Sequence, residues 1–314
     1  MAEYFLIPKR LARAAPALGR VTQWLEAQFA RVFLWMLGRF SPEHAAAIAA
    51  MVFRLLGPYS NKSRAVKRNL RVIYPEECDA GIRRLCREIF GYLGVASAEL
   101  VKMEQLWQEH EQRIAFDVSA KAQAHLDRGG ACVFVTAHVG AWQLTNLIAR
   151  RYGLSISTVY AAESNPAMQS ILQQLRSAFG VKLVPSESGV KPLIRELAAG
   201  NSIGLAVDTR LDRGQLIPFF GVDAYTNTSA ARLALRSGAA LIPIRARRLE
   251  PGRFLIQAYD PIARPESGPD SRTQAIAMTE SLHRHFENWI RETPEQWMCL
   301  KRRWPKSPAN PATH

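Results

Sequence analysis

The longest uncharged stretch of the chain, Gly129 to Ala149, sets the terms for any fold. Its length suits a transmembrane helix, but its composition does not. Glycines stand at 129, 130 and 140, and Ala131-Cys132-Val133-Phe134-Val135 is the short, β-branched kind of run that forms a buried strand. The strand character ends at His138, Gly140 permits a tight turn, and Trp142 to Arg151 reads as a helix. The segment is therefore a strand, a corner and a helix start. A histidine at such a corner, beside a helix N-terminus, is placed for proton transfer next to developing negative charge; it is equally placed to cap or pack.

From there the chain alternates. Strands are expected at Ser155–Tyr160, Val181–Val184, Ile203–Val207, Ala240–Ala246 and Phe254–Tyr259. Helices are expected at Met168–Phe179, Lys191–Ala199, Ser229–Arg236 and Arg272–Arg291. Strands alternating with helices predict an α/β fold: a three-layer domain with a central mixed or parallel sheet flanked by helices. In such sheets ligands gather beyond the C-terminal ends of strands. His138 and Asp208 each follow a strand directly, so one crevice can hold both.

The first 115 residues read differently. Apolar positions recur at helical spacing from Val21 through Trp24, Leu25, Phe29, Val32, Phe33, Trp35, Met36 and Leu37, with Glu26, Arg31 and Arg39 interrupting them. A second apolar helix, Ala45 to Leu56, is short and contains Arg54. Lys9, Arg10, Arg13 and Arg20 form a basic flank suited to an anionic membrane leaflet. Two readings of Val21–Phe40 stand side by side: a helix lying in a membrane interface, and an amphipathic helix covering the core. The expected organisation is a helical N-terminal region with a membrane-associating helix over 1–115, an α/β domain over 116–305, and a mobile Pro-rich tail over 306–314.

Charge narrows the partners. Lys and Arg outnumber Asp and Glu by 41 to 27, giving +14 and a pI near 10. Such an excess implies an anionic partner, whether nucleic acid, acidic membrane, acidic protein or phosphorylated substrate. No nucleic-acid reader motif accompanies the charge, so nucleic acid is not expected as a partner. Cys78, Cys86, Cys132 and Cys299 show no metal spacing and read as reduced, mostly packed thiols; no metal site is expected. No Gly-x-Ser-x-Gly elbow, Walker loop or dinucleotide fingerprint is present. Among recognised catalytic arrangements this leaves His138 as a base acting on a substrate's own hydroxyl. Gln143 lies five residues on and converges with it only if His138 is in the corner and Gln143 in the helix's opening turn. A carboxylate at 143 would raise the basicity of the ring by about 1–3 pK units. An amide orients the ring without charge, unless Glu163 or Asp208 supplies the charge from elsewhere.

The corner resembles the His-x-x-x-x-Asp/Glu motif of glycerolipid-type acyltransferases, and more closely the His-x-Gly-x-Trp-Glu run of the lipid A biosynthesis late acyltransferase family, here His138 to Gln143. The resemblance continues through Arg68-Asn69-Leu70 with Tyr74-Pro75-Glu76, Tyr160 with Arg176 and Gly180, and Val207-Asp208 with Ile217-Pro218-Phe219-Phe220-Gly221 and Thr228. It extends over Ala231-Arg232-Leu233-Ala234-Leu235 to Pro243 and ends at Pro294-Glu295-Gln296-Trp297 and Arg302-Arg303-Trp304. In all it covers roughly residues 60 to 305.

What the resemblance implies is an enzyme that moves a fatty acyl chain from an acyl carrier protein thioester, or acyl-CoA, to a hydroxyl of a phosphorylated lipid A precursor. It implies no cofactor beyond that co-substrate, a membrane surface as partner, and the cytoplasmic face of the inner membrane as location. His138 would be the general base with Gln143 beside it. Arg176 or Arg210, or helix-start amides, would stabilise the oxyanion, and Asp208 would shape the site. Trp142, Gly140, Phe219, Phe220, Gly221 and Thr228 complete the implied substrate-binding set. Alternatives are another lipid or glycolipid acceptor, and a catalytically silent lipid-binding protein, because Gln143 stands where the family usually has Glu.

Overall fold

The computed structural model describes residues 16–163, 165–265 and 270–305. The basic residues at 9, 10 and 13 and the expected mobile tail at 306–314 lie outside the described residues. The chain opens with four helices, α1 (Pro16–Gly38), α2 (Pro42–Leu56), α3 (Ser63–Ile73) and α4 (Asp79–Val101), followed by the short α5 (Met103–Gln108) and α6 (His110–Arg113). Then come β1 (Ile114–Val118), α7 (Ala120–Asp127), β2 (Cys132–Thr136), α8 (Leu147–Tyr152), β3 (Ile156–Tyr160), α9 (Pro166–Arg176) and β4 (Lys182–Pro185). The rest is α10 (Lys191–Ala198), β5 (Ser202–Ala206), β6 (Gln215–Phe219), β7 (Val222–Thr226), α11 (Ser229–Ser237), β8 (Ala240–Glu250), β9 (Arg253–Ala258) and α12 (Ser271–Glu292).

Local chemistry sets several helix starts. Ser41 precedes Pro42 at the first position of α2 and accepts from the His44 amide at 3.3 Å. Asn165 caps α9 ahead of Pro166 by accepting from the Ala167 amide at 3.1 Å, and Asp270 caps α12 by accepting from Thr273 at 2.7 Å.

Seven strands form one sheet in the order β1-β9-β8-β2-β5-β3-β4. The five strands from β8 to β4 run parallel, and β9 turns antiparallel against β8 with β1 parallel to it. The expected mixed, helix-flanked sheet is therefore present. Alternation along β2 divides the core. Val133 and Val135 join a cluster with Leu70, Ile89, Leu197 and Phe286, while Cys132 and Phe134 join one with Leu106, Leu144 and Ile148. The four cysteines are free, three buried and Cys78 exposed.

The structure departs from the sequence reading in definite places. The helix expected over Trp142–Arg151 is a 3-10 turn, Trp142–Asn146, followed by α8. The helix expected to reach Phe179 ends at Arg176 and finishes as a 3-10 turn. β1 and α7 fall where the sequence reading placed no element. The block Phe219-Phe220-Gly221 makes the turn of a two-stranded hairpin, β6–β7. Both central residues of that turn have positive φ, 55° at Phe220 and 72° at Gly221, as a primed two-residue hairpin turn requires.

The N-terminal helices are fastened to the α/β core by a buried ion pair. The Arg248 guanidinium on β8 donates to both carboxylate oxygens of Glu99 on α4, at 2.5 and 2.7 Å, and a further nitrogen donates to Gln296 Oε1 at 2.9 Å. Both side chains are under a tenth exposed. Removing one partner leaves the other buried and unpaired. Glu99→Ala is expected to lower unfolding free energy by about 3–5 kcal/mol in urea titration, whereas Arg54→Ala, which removes an exposed arginine from its part-exposed partner Glu88, changes it by under about 1 kcal/mol.

Candidate active site

Register places the two principal side chains. β2 and β5 are adjacent and parallel, with Thr136 opposite Ala206, and the Val207 amide extends the pairing by donating to Thr136 O at 3.1 Å. Two residues beyond each member of that pair come His138 and Asp208. Parallel strands in register keep equally advanced residues side by side. His138 Nδ1 lies 2.6 Å from Asp208 Oδ1.

The electrostatics of the pair assign its protons. Burial favours a neutral carboxyl at Asp208, which is only 3% exposed. The His138 charge, its hydrogen bond and the Trp297 indole outweigh that and hold the carboxyl below its ordinary range. An ionised Asp208 can only accept, so Nδ1–H of His138 is the donor. Burial also pushes the imidazole down, but the charge and hydrogen bond of Asp208 raise it above the usual 6.5, against smaller opposing pulls from Lys301 and Arg176. The Nε2 lone pair is then free to take a proton, and His138 remains part-exposed to the cavity.

The C-terminal segment closes the corner from behind. Trp297 is buried, and its Nε1–H donates to Asp208 Oδ2 at 2.9 Å, so both carboxylate oxygens are engaged. The Met298 amide donates to His138 O at 2.8 Å, and the Gly140 amide to Gln296 O at 3.3 Å. Gly140 has φ of 66°, and a Cβ there would stand 2.4 Å from the Ala246 carbonyl oxygen. That carbonyl accepts from the Ala141 amide at 2.9 Å, so only glycine lets the corner lie against β8.

A cavity of about 610 Å³ opens over the strand ends, within the range of small-molecule sites. His138, Trp142, Gln143, Arg176, Asp208 and Arg210 all line it. Gln143 stands in the opening turn as expected, but its amide nitrogen turns toward Ala96 O at 3.5 Å, and Asp208, not Gln143 or the exposed Glu163, bonds the histidine. Trp142 lies against the imidazole, with ring centroids 5.6 Å apart. Arg176 stacks over Tyr160, burial lowers its pKa, and its Nη1 is buried with no hydrogen-bond partner among the described residues. Arg210 is paired with Asp212 at 2.6 Å.

Other expected site residues lie elsewhere. Phe219 is wholly buried behind the cavity, packed against Trp297 and Trp304 and beneath the Arg303 guanidinium. Phe220 and Gly221 form the hairpin turn against α12, where the Phe220 amide donates to Glu287 at 2.7 Å. Thr228 precedes α11, but Asn227 accepts from the Ser229 amide there and is the one that lines the cavity. The helix-start amides at Gly140 and Ala141 are already engaged. Sequence reading missed Trp297 as an Asp208 partner and Lys301 as a cavity cation. Both fall inside the closing block, but only the strap's return to the corner gives them a place.

A family profile described as bacterial lipid A biosynthesis acyltransferase matches residues 13–306. A lipid A biosynthesis lauroyltransferase of Escherichia coli (strain K12) is 27% identical over 304 residues, covering 93% of this chain and 91% of the relative. A phosphatidylinositol mannoside acyltransferase of Mycolicibacterium smegmatis is 25% identical, covering 86% and 88% of the two chains. A lipid A biosynthesis acyltransferase of Haemophilus influenzae is 21% identical, covering 78% and 76%.

The geometry makes a direct spectroscopic prediction. In NMR titration His138 is expected to protonate with a midpoint above 6.5. In Asp208→Asn the raising influences are lost while burial, Lys301 and Arg176 remain, so the midpoint falls below that of the native protein. An unchanged midpoint would contradict the pairing.

Proposed function

The chain belongs to the bacterial lipid A biosynthesis acyltransferase family, and from that premise we propose that His138 is the general base that transfers an acyl group from an acyl carrier protein thioester to a hydroxyl of a lipid A precursor. Acyl transfer to lipid A or a related lipid is the activity of the family and of the relatives. The observation that carries the finer reading is the 2.6 Å His138–Asp208 bond at the cavity.

The acceptor hydroxyl gives its proton to Nε2 of His138 as its oxygen attacks the thioester carbonyl carbon. The imidazolium so formed is stabilised by Asp208, itself fixed by Trp297. The tetrahedral oxyanion takes its charge partner from Arg176 or Arg210, both of which line the cavity. Collapse breaks the carbon–sulfur bond, and the proton on His138 goes to the departing thiolate. No metal or other cofactor enters this scheme. The carboxylate that the corner lacks at Gln143 arrives from β5, which speaks against a silent protein.

The similarity to a phosphatidylinositol mannoside acyltransferase motivates a second acceptor, a mannosyl glycolipid. Transfer to each acceptor, assayed with carrier-protein and coenzyme A thioesters, decides between them. His138→Ala is expected to lower kcat roughly 100- to 10,000-fold. Gln143→Glu keeps kcat within a few-fold, because Asp208 already supplies the charge; a large gain there would mean that Asp208 is not the working partner. kcat/KM falls as pH drops through the raised His138 pKa, since only the neutral ring accepts a proton.

Contact with a membrane surface is supported by α1 and α2, and the cytoplasmic face of the inner membrane is the location we propose. Among the described residues no helix is long and apolar enough to cross a membrane. Yet Trp24, Phe29, Val32 and Trp35 of α1 are 59–67% exposed, and Met51, Leu55 and Leu56 of α2 are exposed too. Such apolar surface beside a +14 chain suits an anionic bilayer. Replacing Trp24, Phe29 and Trp35 by Ser is expected to abolish co-sedimentation with phosphatidylglycerol vesicles while leaving the circular dichroism spectrum unchanged.

A further inference from the structure

The cavity has a polar mouth and an apolar depth. His138, Arg176, Asp208 and Lys301 line the first; Phe134, Ile148, Ile156, Phe179 and Ile244 line the second. Much of its wall is sheet. Thr136 and Phe134 of β2, Ala206 and Gly204 of β5, and Thr158 and Ile156 of β3 line it from one face, and Val159 and Leu205, of the opposite parity, line it as well. Register sets Phe134, Gly204 and Thr158 side by side as one tier. From Tyr160 to Ile156 the lining follows β3 for four residues, about 13 Å of strand.

Gly204 is anomalous in that wall. β5 is an inner strand, paired on both edges with β2 and β3. Glycine weakens such a strand and marks a place where something approaches the backbone closely. No conformational demand explains it, because Gly204 is absent from the positive-φ residues of the chain. It is also part-exposed at the centre of the sheet, where Ile203 beside it is fully buried on the opposite face. A Cβ at 204 would stand 3.0 Å from Thr158 Oγ1 and 3.8 Å from Asn146 Oδ1. Thr158 is itself held, its hydroxyl donating to Asn146 Oδ1 at 2.6 Å, while Asn146 Nδ2 donates to Gln143 O at 2.9 Å. The missing side chain thus leaves room for the held Thr158 hydroxyl, and a methyl at 204 would press on it at the boundary between the polar mouth and the apolar depth.

We propose that Gly204 determines the length of acyl chain that this enzyme transfers, by leaving open the passage through which the tail runs down the sheet face from His138 toward Ile156 and Phe179. The proposal rests on the acyl-transfer reading above and adds where the tail lies. An atom at 204 crowds the passage at the Thr158 tier. A smaller residue at 179, on the deep wall, lengthens it.

The test is a competition. The enzyme receives an equimolar mixture of thioesters from octanoyl to palmitoyl on acyl carrier protein, and in parallel on coenzyme A, and mass spectrometry reads the acyl chains on the product. A ratio of products is independent of how much enzyme is folded. Gly204→Ala is expected to shift the long-to-short ratio toward short chains by roughly tenfold or more, the scale on which a pocket discriminates one methylene. Phe179→Ala is expected to shift it toward long chains. Active variants with the native ratio overturn the proposal. If Gly204→Ala is inactive, the ratio from Phe179→Ala decides alone. No transfer of any chain by the native enzyme overturns the acyl-transfer reading itself, a separate failure.

Discussion

One hydrogen bond, from His138 Nδ1 to Asp208 Oδ1 at 2.6 Å, joins the ends of two adjacent strands and pairs the proposed base with a carboxylate. It exists because β2 and β5 pair with Thr136 opposite Ala206, so that each strand delivers its next side chain but one to the same place. A slip of one residue would turn either side chain to the opposite face. The chemistry is thus tied to the sheet's pairing rather than to the corner alone. The carboxylate partner need not come from the corner's own helix.

Around that bond the molecule is arranged as successive supports. Trp297 occupies the second carboxylate oxygen, and the strap that carries it binds the corner through Met298 and Gly140. The strap is held in turn by Asn69, whose amide nitrogen donates to Cys299 O and Lys301 O at 3.0 and 2.8 Å, while its oxygen accepts from the Arg303 amide at 3.0 Å. Arg303, buried without a carboxylate partner among the described ion pairs, donates to Tyr225 O and Thr226 Oγ1, and burial lowers its pKa to about 10. Two blocks more than two hundred residues apart, at Asn69 and at Cys299–Arg303, are therefore one structural unit. Their joint appearance in the sequence reflects a shared task of closing the site.

The sequence made the alternating strands and helices legible because hydrophobic period is a local signal. It also made the corner legible, since Gly140 is required by a positive φ and a close carbonyl. It left the identity of the histidine's partner open, because Gln143, Glu163 and Asp208 are distinguished only by strand order and register, which no local pattern encodes. Phe219 and Phe220 show the converse. Their aromatic pair invites a groove wall, but Gly221 after them makes a hairpin turn and sends Phe219 into the packing behind the cavity. β1 was hidden for a third reason. It is only five residues long and pairs only at the sheet edge with β9, so although Ile114, Phe116 and Val118 alternate with Ala115 and Asp117 the pattern is too brief to stand out.

The helical N-terminal region and the α/β core meet in a way that bears on the proposed reaction. α4 carries Ala96, whose carbonyl faces the Gln143 amide, and Glu99, whose carboxylate holds Arg248 and, through it, Gln296 beside the corner. Lys102, at the end of the same helix, donates to Gly38 O at the end of α1. The exposed apolar face of α1 is thus joined to the His138 corner through a single helix by three polar contacts. Polar contacts in a buried setting have definite geometry and strongly penalise misplacement. They fix the orientation of the cavity relative to the apolar face. In the reaction proposed above, a lipid acceptor held in a bilayer would present its hydroxyl to Nε2 of His138 only if that orientation were constant, so these contacts would let the helices aim the site as well as dock the chain.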